Sequence, residues 1–422
     1  MDIAAIDRSA LTAAVEAARS DYAAFQDEGL ALDITRGKPS AAQLDLSEPL
    51  LAALQPGDHV GSGVDVRNYG PPAAGLVELR EIFAPLLDIP VDQLVARDNS
   101  SLSLMHQCLA MSFFHALPGA AGAWAGQPVK FLAPVPGYDR HFAVADELGV
   151  ELVPVPLTAE GPDLAVVERR VRADAGIKGM WCVPKYSNPT GVTYSDEVVR
   201  RLAAMETAAE DFRLYWDNAY AVHHLTDDHD ELLDILGACA DAGHPDRAFV
   251  FASTSKVTFA GGGVSFFGSS PANVAWYLTR DFVRVIGPDK VNQLRHARFF
   301  RDSAGVEAHM RRHAEIIAPK FAAVRAALAN DLGALGIANW TDPRGGYFVS
   351  LDTVPGTAGR IVELAKAVGV ALTPAGATYP HGNDPQDANL RIAPTLPPLA
   401  EVERAMKVLT TCVVLATGER VL

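Results

Sequence analysis

Apolar residues at helical spacing open the chain. They recur at steps of four and three until Gly29 interrupts the pattern, and Ser9 just before them is a candidate N-cap. The pattern predicts an amphipathic helix that begins near Ser9 and ends near Gly29. The apolar positions of this helix are Leu11, Val15, Ala18, Tyr22 and Phe25.

A different pattern fills the middle of the chain, between about residues 75 and 300. Short apolar runs alternate there with helical patterns, and one helix is predicted over residues 195–210, with Ser195 as its cap. Alternation of this kind indicates parallel strands joined by helical crossovers, which form an α/β sheet. The strand candidates are residues 131–135, 151–155, 179–183, 213–217 and 248–252.

The last part of the chain differs again, because a long helical stretch leads into isolated strands. The helix is predicted over residues 307–335, and the strands over 347–351, 370–373 and 390–393. This pattern indicates a smaller α+β domain, which the N-terminal segment joins. We therefore predict three segments: 1–62 as part of the small domain, 63–300 as a large α/β domain, and 301–422 as the C-terminal small domain.

Composition and charge narrow the class of protein. The chain has 422 residues, 49% of them hydrophobic, and no apolar run approaches the roughly 18 residues that a membrane helix needs. Its formal charge of −15 would repel a phosphate backbone, so nucleic acid is not an expected partner. The N-terminus MDIAAIDRSA lacks the basic and apolar regions of a secretory signal. We expect a cytoplasmic protein without a membrane span.

The cysteines and histidines predict no metal site. The four cysteines are far apart, without CxxC spacing, and are expected to be buried reduced thiols. His223 and His224 are adjacent, so a helix or strand would point them in different directions.

Polar segments follow several of the predicted strands. Ligands of open α/β sheets bind beyond the carboxyl ends of the strands, so these segments are candidates for one site. Each has an ordinary structural explanation when taken alone, since NPTG makes a turn, a serine caps a helix, and a lone lysine is solvated. The segments are 98–103 (DNSSLS), 184–191 (PKYSNPTG), 218–220 (NAY) and 253–256 (STSK).

Together these segments match the chemistry of pyridoxal phosphate (PLP). The cofactor needs a lysine amine for an imine and a carboxylate at its pyridinium nitrogen, and Lys256 and Asp217 are the candidates. It also needs donors to its ring oxygen, which Asn188 and Tyr220 can supply. The candidates for the phosphate are the helix N-terminus at Ser100, Ser101 and Leu102, together with Ser253 and Ser255.

The order of NPTG, D-x-A-Y, S-x-S-K and a late arginine resembles the class I aminotransferases of PLP fold type I, over most of the chain. The resemblance implies a large domain with a mostly parallel sheet between helices, a smaller α+β domain, and a homodimer with shared active sites. It implies that Lys256 forms the imine and shuttles the proton, and that Asn188 contacts both cofactor and substrate. It assigns Tyr138 to stacking on the ring, His141 to orienting Asp217, Tyr69 to the phosphate across the dimer, Arg391 to the substrate α-carboxylate, and Gly37 to the substrate loop.

One position departs from that family. Most members carry an arginine for the cofactor phosphate about eight residues after the imine lysine, where this chain reads GGGV at residues 261–264. Hydroxyl groups of Ser253, Ser255 and Thr258 and the N–H groups of a helix N-terminus are candidate replacements. The glycine segment and the Asn99 loop resemble the actinobacterial type Ic aspartate aminotransferases. They are also similar to the catalytic-like domain of MocR regulators.

The function expected from these features is transfer of an amino group between an amino acid and a 2-oxo acid. The type Ic resemblance favours aspartate and glutamate as donors, with 2-oxoglutarate or oxaloacetate as acceptors. The alternatives are an aromatic or kynurenine aminotransferase, a PLP lyase, and a PLP-sensing transcription regulator. A regulator of that type would need a helix-turn-helix module ahead of the fold.

A dicarboxylate substrate needs a second cation besides Arg391, because an unpaired distal carboxylate in a closed site is unfavourable. Arg140 is the leading candidate, since it lies between Tyr138 and His141 in the sequence. A surface position or a pairing with Asp139 is an equally ordinary role for this arginine. The other candidate cations are Arg36, Arg284 and Lys290.

Overall fold

The chain forms a large α/β part and a smaller α+β part, and this computed structural model describes Ile3 and residues 6–422. Among these residues, no helix combines the length and the apolar character that crossing a membrane requires. The helices are α1 (Arg8–Glu28), α2 (Ala41–Asp45), α3 (Val77–Leu87), α4 (Ser101–Phe114), α5 (Asp139–Glu147), α6 (Leu164–Ala173), α7 (Asp196–Ala204), α8 (Ile235–Asp241), α9 (Pro271–Arg284), α10 (Lys290–Phe300), α11 (Ser303–Leu332), α12 (Ala358–Ala367) and α13 (Leu399–Val421). The strands are β1 (Leu32–Asp33), β2 (Val60–Gly61), β3 (Val64–Asp65), β4 (Leu94–Arg97), β5 (Lys130–Val135), β6 (Glu151–Thr158), β7 (Gly161–Pro162), β8 (Ile177–Cys182), β9 (Arg213–Asp217), β10 (Ala248–Ser253), β11 (Ser265–Gly268), β12 (Ala338–Trp340), β13 (Val349–Thr353), β14 (Val370–Ala371) and β15 (Asn389–Ile392).

An eight-stranded sheet forms the centre of the larger part, in the order β4-β11-β10-β9-β8-β5-β6-β7. Strands β5, β6, β8, β9 and β10 run parallel to one another. These are the five strands that the sequence predicts in this region, and all five are confirmed with boundaries within three residues of the prediction. Strand β11 runs antiparallel to both β10 and β4, and β7 runs antiparallel to β6. The sequence pattern does not predict β4, β7 or β11.

The topology brings the polar segments to one edge of the sheet. Strand β4 is parallel to β10, because each is antiparallel to the β11 strand between them. The segments that follow β4, β8, β9 and β10 therefore leave the sheet at the same edge. The residues singled out by the sequence lie in these four segments.

Both faces of this sheet are buried. Along β9, Leu214 and Trp216 belong to the apolar core that includes residues of α3, α6, α7 and α8. Tyr215 between them belongs to the core on the other face, with residues of α4, α5 and α9. A strand buried on both faces has a continuous apolar sequence, which is why these short runs mark the strands so clearly.

The smaller part is built on the antiparallel sheet β12-β13-β15. Helix α1 packs against α13 and β1 pairs with β14, so both ends of the chain share one apolar core. Helix α11 joins the two parts, since Val306 and Met310 belong to the core of the larger part and Ile317 and Phe321 to that of the smaller. The first part of α11 therefore packs in the core of the larger part, and the rest packs in the core of the smaller part. The domain boundaries at residues 62 and 300 stay predictions.

Two helix ends differ from the sequence prediction. The opening helix is confirmed, but its N-cap is Asp7 and not Ser9, because the Asp7 carboxylate accepts hydrogen bonds from the N–H groups of Ser9 and Ala10. Helix α7 begins after Ser195 as predicted, yet it ends at Ala204 and not at residue 210. The backbone is extended at Met205, which stops the helix there.

Candidate active site

Lys256 lies in the turn after β10, at the edge of the sheet where the polar segments meet. Its Nζ atom is 4.9 Å from the centre of the Tyr220 ring. Burial lowers the pKa of Lys256, and the nearby Asp217 carboxylate opposes that shift. A lysine in such surroundings reaches its neutral, nucleophilic form more readily than a solvated one.

Asp217 ends β9, and its two carboxylate oxygens have different surroundings. Oδ2 lies 3.0 Å from Nε2 of His141, and the His141 ring is stacked on Trp181 with 4.6 Å between ring centres. Oδ1 is buried and has no hydrogen-bond partner among the described residues. A buried carboxylate oxygen without a donor is unfavourable. This oxygen therefore fits a ligand that brings an N–H group, such as a protonated pyridine ring.

Two tyrosines surround this carboxylate. Tyr138 immediately precedes α5 and contacts His141 edge to face, with 4.9 Å between ring centres. Tyr220 follows β9 and is buried. Burial is the main cause that raises the pKa of both tyrosines, and the charges of Asp217 and Arg391 act on both as well. The structure thus brings these groups together, as the sequence analysis expects.

Arg391 lies on β15 of the smaller part and reaches across to the sheet edge of the larger part. Its Nη1 donates hydrogen bonds to Oδ1 of Asp139, at 2.8 Å, and to Oδ1 of the buried Asn188, at 3.3 Å. The guanidinium lies over the Phe348 ring. Its Nε is buried without a partner among the described residues. A guanidinium held in place with free donors is suited to bind a carboxylate with two parallel hydrogen bonds.

Gly37 packs directly on the aromatic ring that supports Arg391. A Cβ atom at Gly37 would lie 2.1 Å from Cζ of Phe348, which no side chain can accommodate without a shift of the ring. The loop around Gly37 is therefore able to lie close to Phe348 because it lacks a side chain at this position. The predicted substrate loop is thus placed beside Arg391.

A group of hydroxyls and N–H groups lies at the start of α4. Ser253 Oγ donates to Ser255 Oγ at 3.0 Å, and Ser255 Oγ donates to the carbonyl oxygen of Asn99 at 3.2 Å. Ser100 is the N-cap residue of α4, and its side chain makes no capping hydrogen bond. The first N–H groups of the helix, beginning at Ser101 and Leu102, are therefore open to an anion.

The glycine segment packs closely against this anion-binding region. A Cβ atom at Gly263 would lie 3.3 Å from the Asn99 carbonyl oxygen. Thr258, one of the suggested replacements for the missing arginine, is fully buried and its hydroxyl contacts Thr254 and His296, so its role at the phosphate stays a prediction. Arg295 of α10 lies beside the segment, with Nη2 3.6 Å from the Cβ position of Gly262. The sequence gives no signal for Arg295, which is one polar residue on a helix.

A buried polar network lies beneath the Lys256 turn and was not expected from the sequence. Tyr347 donates through its hydroxyl to the carbonyl oxygen of Lys256, at 3.4 Å. Gln43 donates through Nε2 to the Tyr347 hydroxyl at 3.0 Å and lies 3.1 Å from Nδ1 of His313. Nε2 of His309 lies 3.1 Å from Nε2 of His313 and 2.8 Å from the carbonyl oxygen of Val257. These contacts join α2 and α11 to the turn that carries the lysine, a pairing that only the tertiary fold creates.

Some of the predicted site residues lie apart from this group. Tyr69 is 77% exposed within the chain. Arg140 and Arg36 are exposed as well. Arg284 is paired with Asp98 and Asp281, and Lys290 donates to the carbonyl oxygens of Gly70 and Pro71.

Comparisons with known proteins agree with this geometry. A family model described as aspartate amino-transferase matches residues 6–422. The chain is 51% identical over 397 residues to an aspartate aminotransferase of Corynebacterium glutamicum, covering 94% of this chain and 91% of that enzyme. The crystal structure of an aspartate transaminase from Corynebacterium glutamicum matches over 100% of both chains, with a TM-score of 0.96 and 48% identity.

A more distant structure shows the same fold. It is LysN, an α-aminoadipate aminotransferase of Thermus thermophilus complexed with N-(5'-phosphopyridoxyl)-L-leucine, with a TM-score of 0.74, 19% identity and coverage of 94% of both chains. The fold is therefore that of the PLP-dependent aminotransferases, and the regulator alternative finds no support in these relatives. With a family model matched from residue 6 to the end, the chain belongs to the aspartate aminotransferase family and is an aminotransferase.

Proposed function

We propose that this aminotransferase uses pyridoxal phosphate to move amino groups between amino acids and 2-oxo acids, with aspartate and glutamate as the favoured donors. The acceptors are then 2-oxoglutarate and oxaloacetate. The observation that carries the proposal is the buried Asp217 Oδ1, which has no donor among the described residues, near a lysine whose pKa burial lowers. The preference for aspartate rests on the names of the Corynebacterium relatives and on the chemistry of the substrate cations.

The residues at the sheet edge fit this cofactor. Asp217 would accept from its ring nitrogen, Asn188 and Tyr220 would donate to its ring oxygen, and Tyr138 would lie on its ring. When bound, the cofactor supplies an electron sink for the carbanion that forms at the substrate α-carbon. The phosphate would take the open N–H groups and hydroxyls at the start of α4, which are Ser100, Ser101, Leu102, Ser253 and Ser255.

Lys256 acts as the proton carrier in this proposal. Its Nζ, in the neutral form that burial favours, would accept and hold the proton that leaves the α-carbon of the substrate. The ring of Tyr220 lies against Nζ, while the Tyr347 hydroxyl holds the backbone of the same residue. His141 orients Asp217 through the hydrogen bond between its Nε2 and Oδ2.

Arg391 binds the α-carboxylate of the substrate. Asp139 and Asn188 hold one edge of its guanidinium, so the remaining N–H groups keep a fixed direction. Gly37 allows its loop to lie against Phe348 on the other side of the arginine. For the distal carboxylate we propose Arg140, because Arg284 and Lys290 already have partners within the chain.

A second copy of the chain completes the site in our proposal. The exposed Tyr69 precedes Gly70, which packs against Gly287 of the loop after α9 and accepts a hydrogen bond from Lys290 at the start of α10. Exposed apolar residues lie on α9, on this loop and at the start of α10. An apolar surface of this kind is typical of an interface between subunits. Tyr69 would then reach the cofactor phosphate of the partner subunit, and the enzyme would be a cytoplasmic homodimer. The exposed apolar residues are Phe282, Val283, Ile286 and Val291.

An amino-donor screen tests the proposed activity. The purified chain is incubated with each donor and 2-oxoglutarate, and both the product amino acid and the cofactor absorbance are followed. Aspartate should give the highest kcat/KM, and the Lys256→Ala variant should be folded but inactive. A preference for kynurenine or aromatic donors, or release of ammonia in place of transfer, would support one of the alternatives and contradict the proposal.

A further inference from the structure

Asp98 is a charged residue beside the start of α4, and the amino-transfer chemistry proposed above gives it no role. It follows β4 directly and lies two residues before Ser100, the N-cap residue of α4. Its carboxylate accepts hydrogen bonds from Ser103 Oγ, at 3.1 Å, and from Nε2 of Gln107. The carboxylate therefore lies alongside the first two turns of the helix whose open N–H groups would take the cofactor phosphate.

A carboxylate at this place is unfavourable for a bound phosphate. Like charges repel over several ångströms at physiological ionic strength, and the repulsion is stronger where the protein excludes water. The glycine segment at residues 261–263 brings no positive side chain that could offset this repulsion. A phosphate at the start of α4 is therefore favoured only when another group neutralises Asp98.

Arg284, at the C-terminal end of α9, pairs with Asp98. Its Nη2 lies 3.0 Å from Oδ1 and 3.3 Å from Oδ2 of Asp98. The same arginine donates through Nε and Nη2 to Oδ1 of Asp281, at 3.0 and 2.8 Å. Asp281 is fully buried, so it holds the guanidinium in place although 40% of the Arg284 side chain is exposed.

A second arginine balances the buried Asp281. Arg97 immediately precedes Asp98 and is buried, and its Nε lies 2.6 Å from Oδ2 of Asp281. Two arginines and two aspartates thus form a cluster in which the charges cancel. Lys290 also lies near Arg97, but its amine donates to backbone carbonyl oxygens. Loss of Arg284 would leave one arginine against two aspartates, with Asp98 as the aspartate that has no cation.

We propose that Arg284 is a positioning residue for the cofactor phosphate, which acts by neutralising Asp98 beside the start of α4. The inference rests on the proposed use of pyridoxal phosphate. It assigns Arg284 an electrostatic role at the cofactor in place of a contact with the substrate. The affinity for the phosphate group should then depend on a residue of α9 that acts through Asp98.

The backbone at Asp98 permits a variant that changes its charge alone. Asp98 has a φ of 46°, in the left-handed region, where asparagine is tolerated as well as aspartate is. Asparagine also keeps a side-chain oxygen that can accept from Ser103 and Gln107. Asp98→Asn should therefore preserve the turn between β4 and α4 and remove the negative charge.

Cofactor binding to the full chain tests this role of Arg284. The chain is freed of cofactor and titrated with pyridoxal phosphate and with pyridoxal, which lacks the phosphate, and fluorescence gives the dissociation constants. Arg284→Met should weaken binding of pyridoxal phosphate by about fivefold or more and leave pyridoxal binding unchanged, because only the phosphate brings an anion to α4. Arg280→Met is the control, since Arg280 lies one turn earlier on α9 and forms no ion pair within the described part of the chain; it should change neither constant.

Two further measurements separate the charge of Arg284 from its contribution to structure. Asp98→Asn, added to Arg284→Met, should restore the affinity for pyridoxal phosphate, because the carboxylate that Arg284 neutralises is then absent. Salt at about 1 M should reduce the difference between Arg284→Met and the unaltered chain, since the Debye length falls to about 3 Å. Asp98→Asn alone should bind pyridoxal phosphate at least as tightly as the unaltered chain.

Several results would overturn the proposal. They are an unchanged affinity for pyridoxal phosphate in Arg284→Met, an equal loss for pyridoxal, and no recovery in the double variant. Weaker binding of pyridoxal phosphate by Asp98→Asn alone would also overturn it, and this variant decides the question if Arg284→Met does not fold. A chain that binds neither pyridoxal phosphate nor pyridoxal would instead contradict the proposed cofactor, so the two failures are distinguishable.

Discussion

The two carboxylate oxygens of Asp217 have different surroundings, and this difference has a measurable consequence. Oδ2 is held by His141, while Oδ1 is buried without a donor within the described chain. We expect Asp217→Ala to slow the chemical step far more than it weakens cofactor binding, because the ring nitrogen loses the charge that keeps it protonated. Single-turnover kinetics with aspartate measure the step, and cofactor titration measures the binding.

An unchanged single-turnover rate in Asp217→Ala would contradict this role of Asp217. A variant with a single-turnover rate equal to that of the unaltered enzyme would show that another residue holds the ring nitrogen. Asp217 would then serve only to orient His141 and to end β9.

Arg140 tests the specificity for dicarboxylates. The Arg140→Ala variant should lose about 2 to 4 kcal/mol in kcat/KM for aspartate and glutamate, because the distal carboxylate loses a charged hydrogen bond. Alanine and aromatic donors have no distal carboxylate, so their kcat/KM should change little. Arg36→Ala, which removes the other exposed candidate, serves as the control. Equal losses for all donors would assign Arg140 a general structural role.

Some site residues are readable from sequence and others are not. Asp217 ends a buried strand, and Lys256 and Asn188 lie in the segments that follow two others, so the carboxyl-end rule for α/β sheets places them at one edge. Gln43 and Arg295 gave no such signal, because each reaches the site from a helix that the tertiary fold brings alongside. The local sequence pattern therefore predicts the site residues that lie on or just after strands of the sheet. It does not predict the residues that helices distant in sequence bring alongside.

At the scale of secondary-structure elements, the hydrophobic pattern predicts best the strands that are buried on both faces of the sheet. The parallel strands β5, β8, β9 and β10 are buried on both faces and appear as apolar runs. Strands β4 and β11 have four residues each, and their sequences LVAR and SFFG are too short for a periodicity to stand out. The end of α7 was missed for a different reason, since residues 205–210 (METAAE) favour a helix locally, whereas the chain leaves it at Met205.

The network beneath Lys256 couples three elements, and Gln43 lies at its centre. Gln43→Leu removes one hydrogen-bond partner from the Tyr347 hydroxyl and one from His313, so the free energy of unfolding should fall by about 1 to 3 kcal/mol. The hydrogen bond from the Tyr347 hydroxyl to the carbonyl oxygen of Lys256 should also weaken. We therefore expect a shift in the pH midpoint of the cofactor absorbance band, measured by spectrophotometric titration.

The control for this network is Gln386→Leu, at an exposed glutamine. This variant should change neither the stability nor the absorbance midpoint. Loss of stability in Gln43→Leu with an unchanged midpoint would show that the network supports the fold without positioning the lysine.

At the scale of the whole molecule, the proposed reaction site takes residues from both parts of the chain. Arg391 comes from the smaller part and Lys256 and Asp217 from the larger, while α11 contributes to both cores. The sequence pattern predicts a boundary at residue 300, before α11, and gives no sign that this helix contributes to both cores. Because α11 packs in both cores, it fixes the smaller part, which carries Arg391, relative to the sheet edge of the larger part.

The exposed apolar surface predicts the oligomeric state. Val283 is 87% exposed on α9, so an aspartate there should leave the fold of one chain intact. We expect Val283→Asp to lower the mass measured by light scattering from that of a dimer to the 44.9 kDa of one chain, because a buried charge opposes association. Cofactor retention should fall with it, since Tyr69 of the partner subunit is lost. Leu399→Asp, at the start of α13, is the control and should remain dimeric. A Val283→Asp variant that stays dimeric would place the interface on another surface.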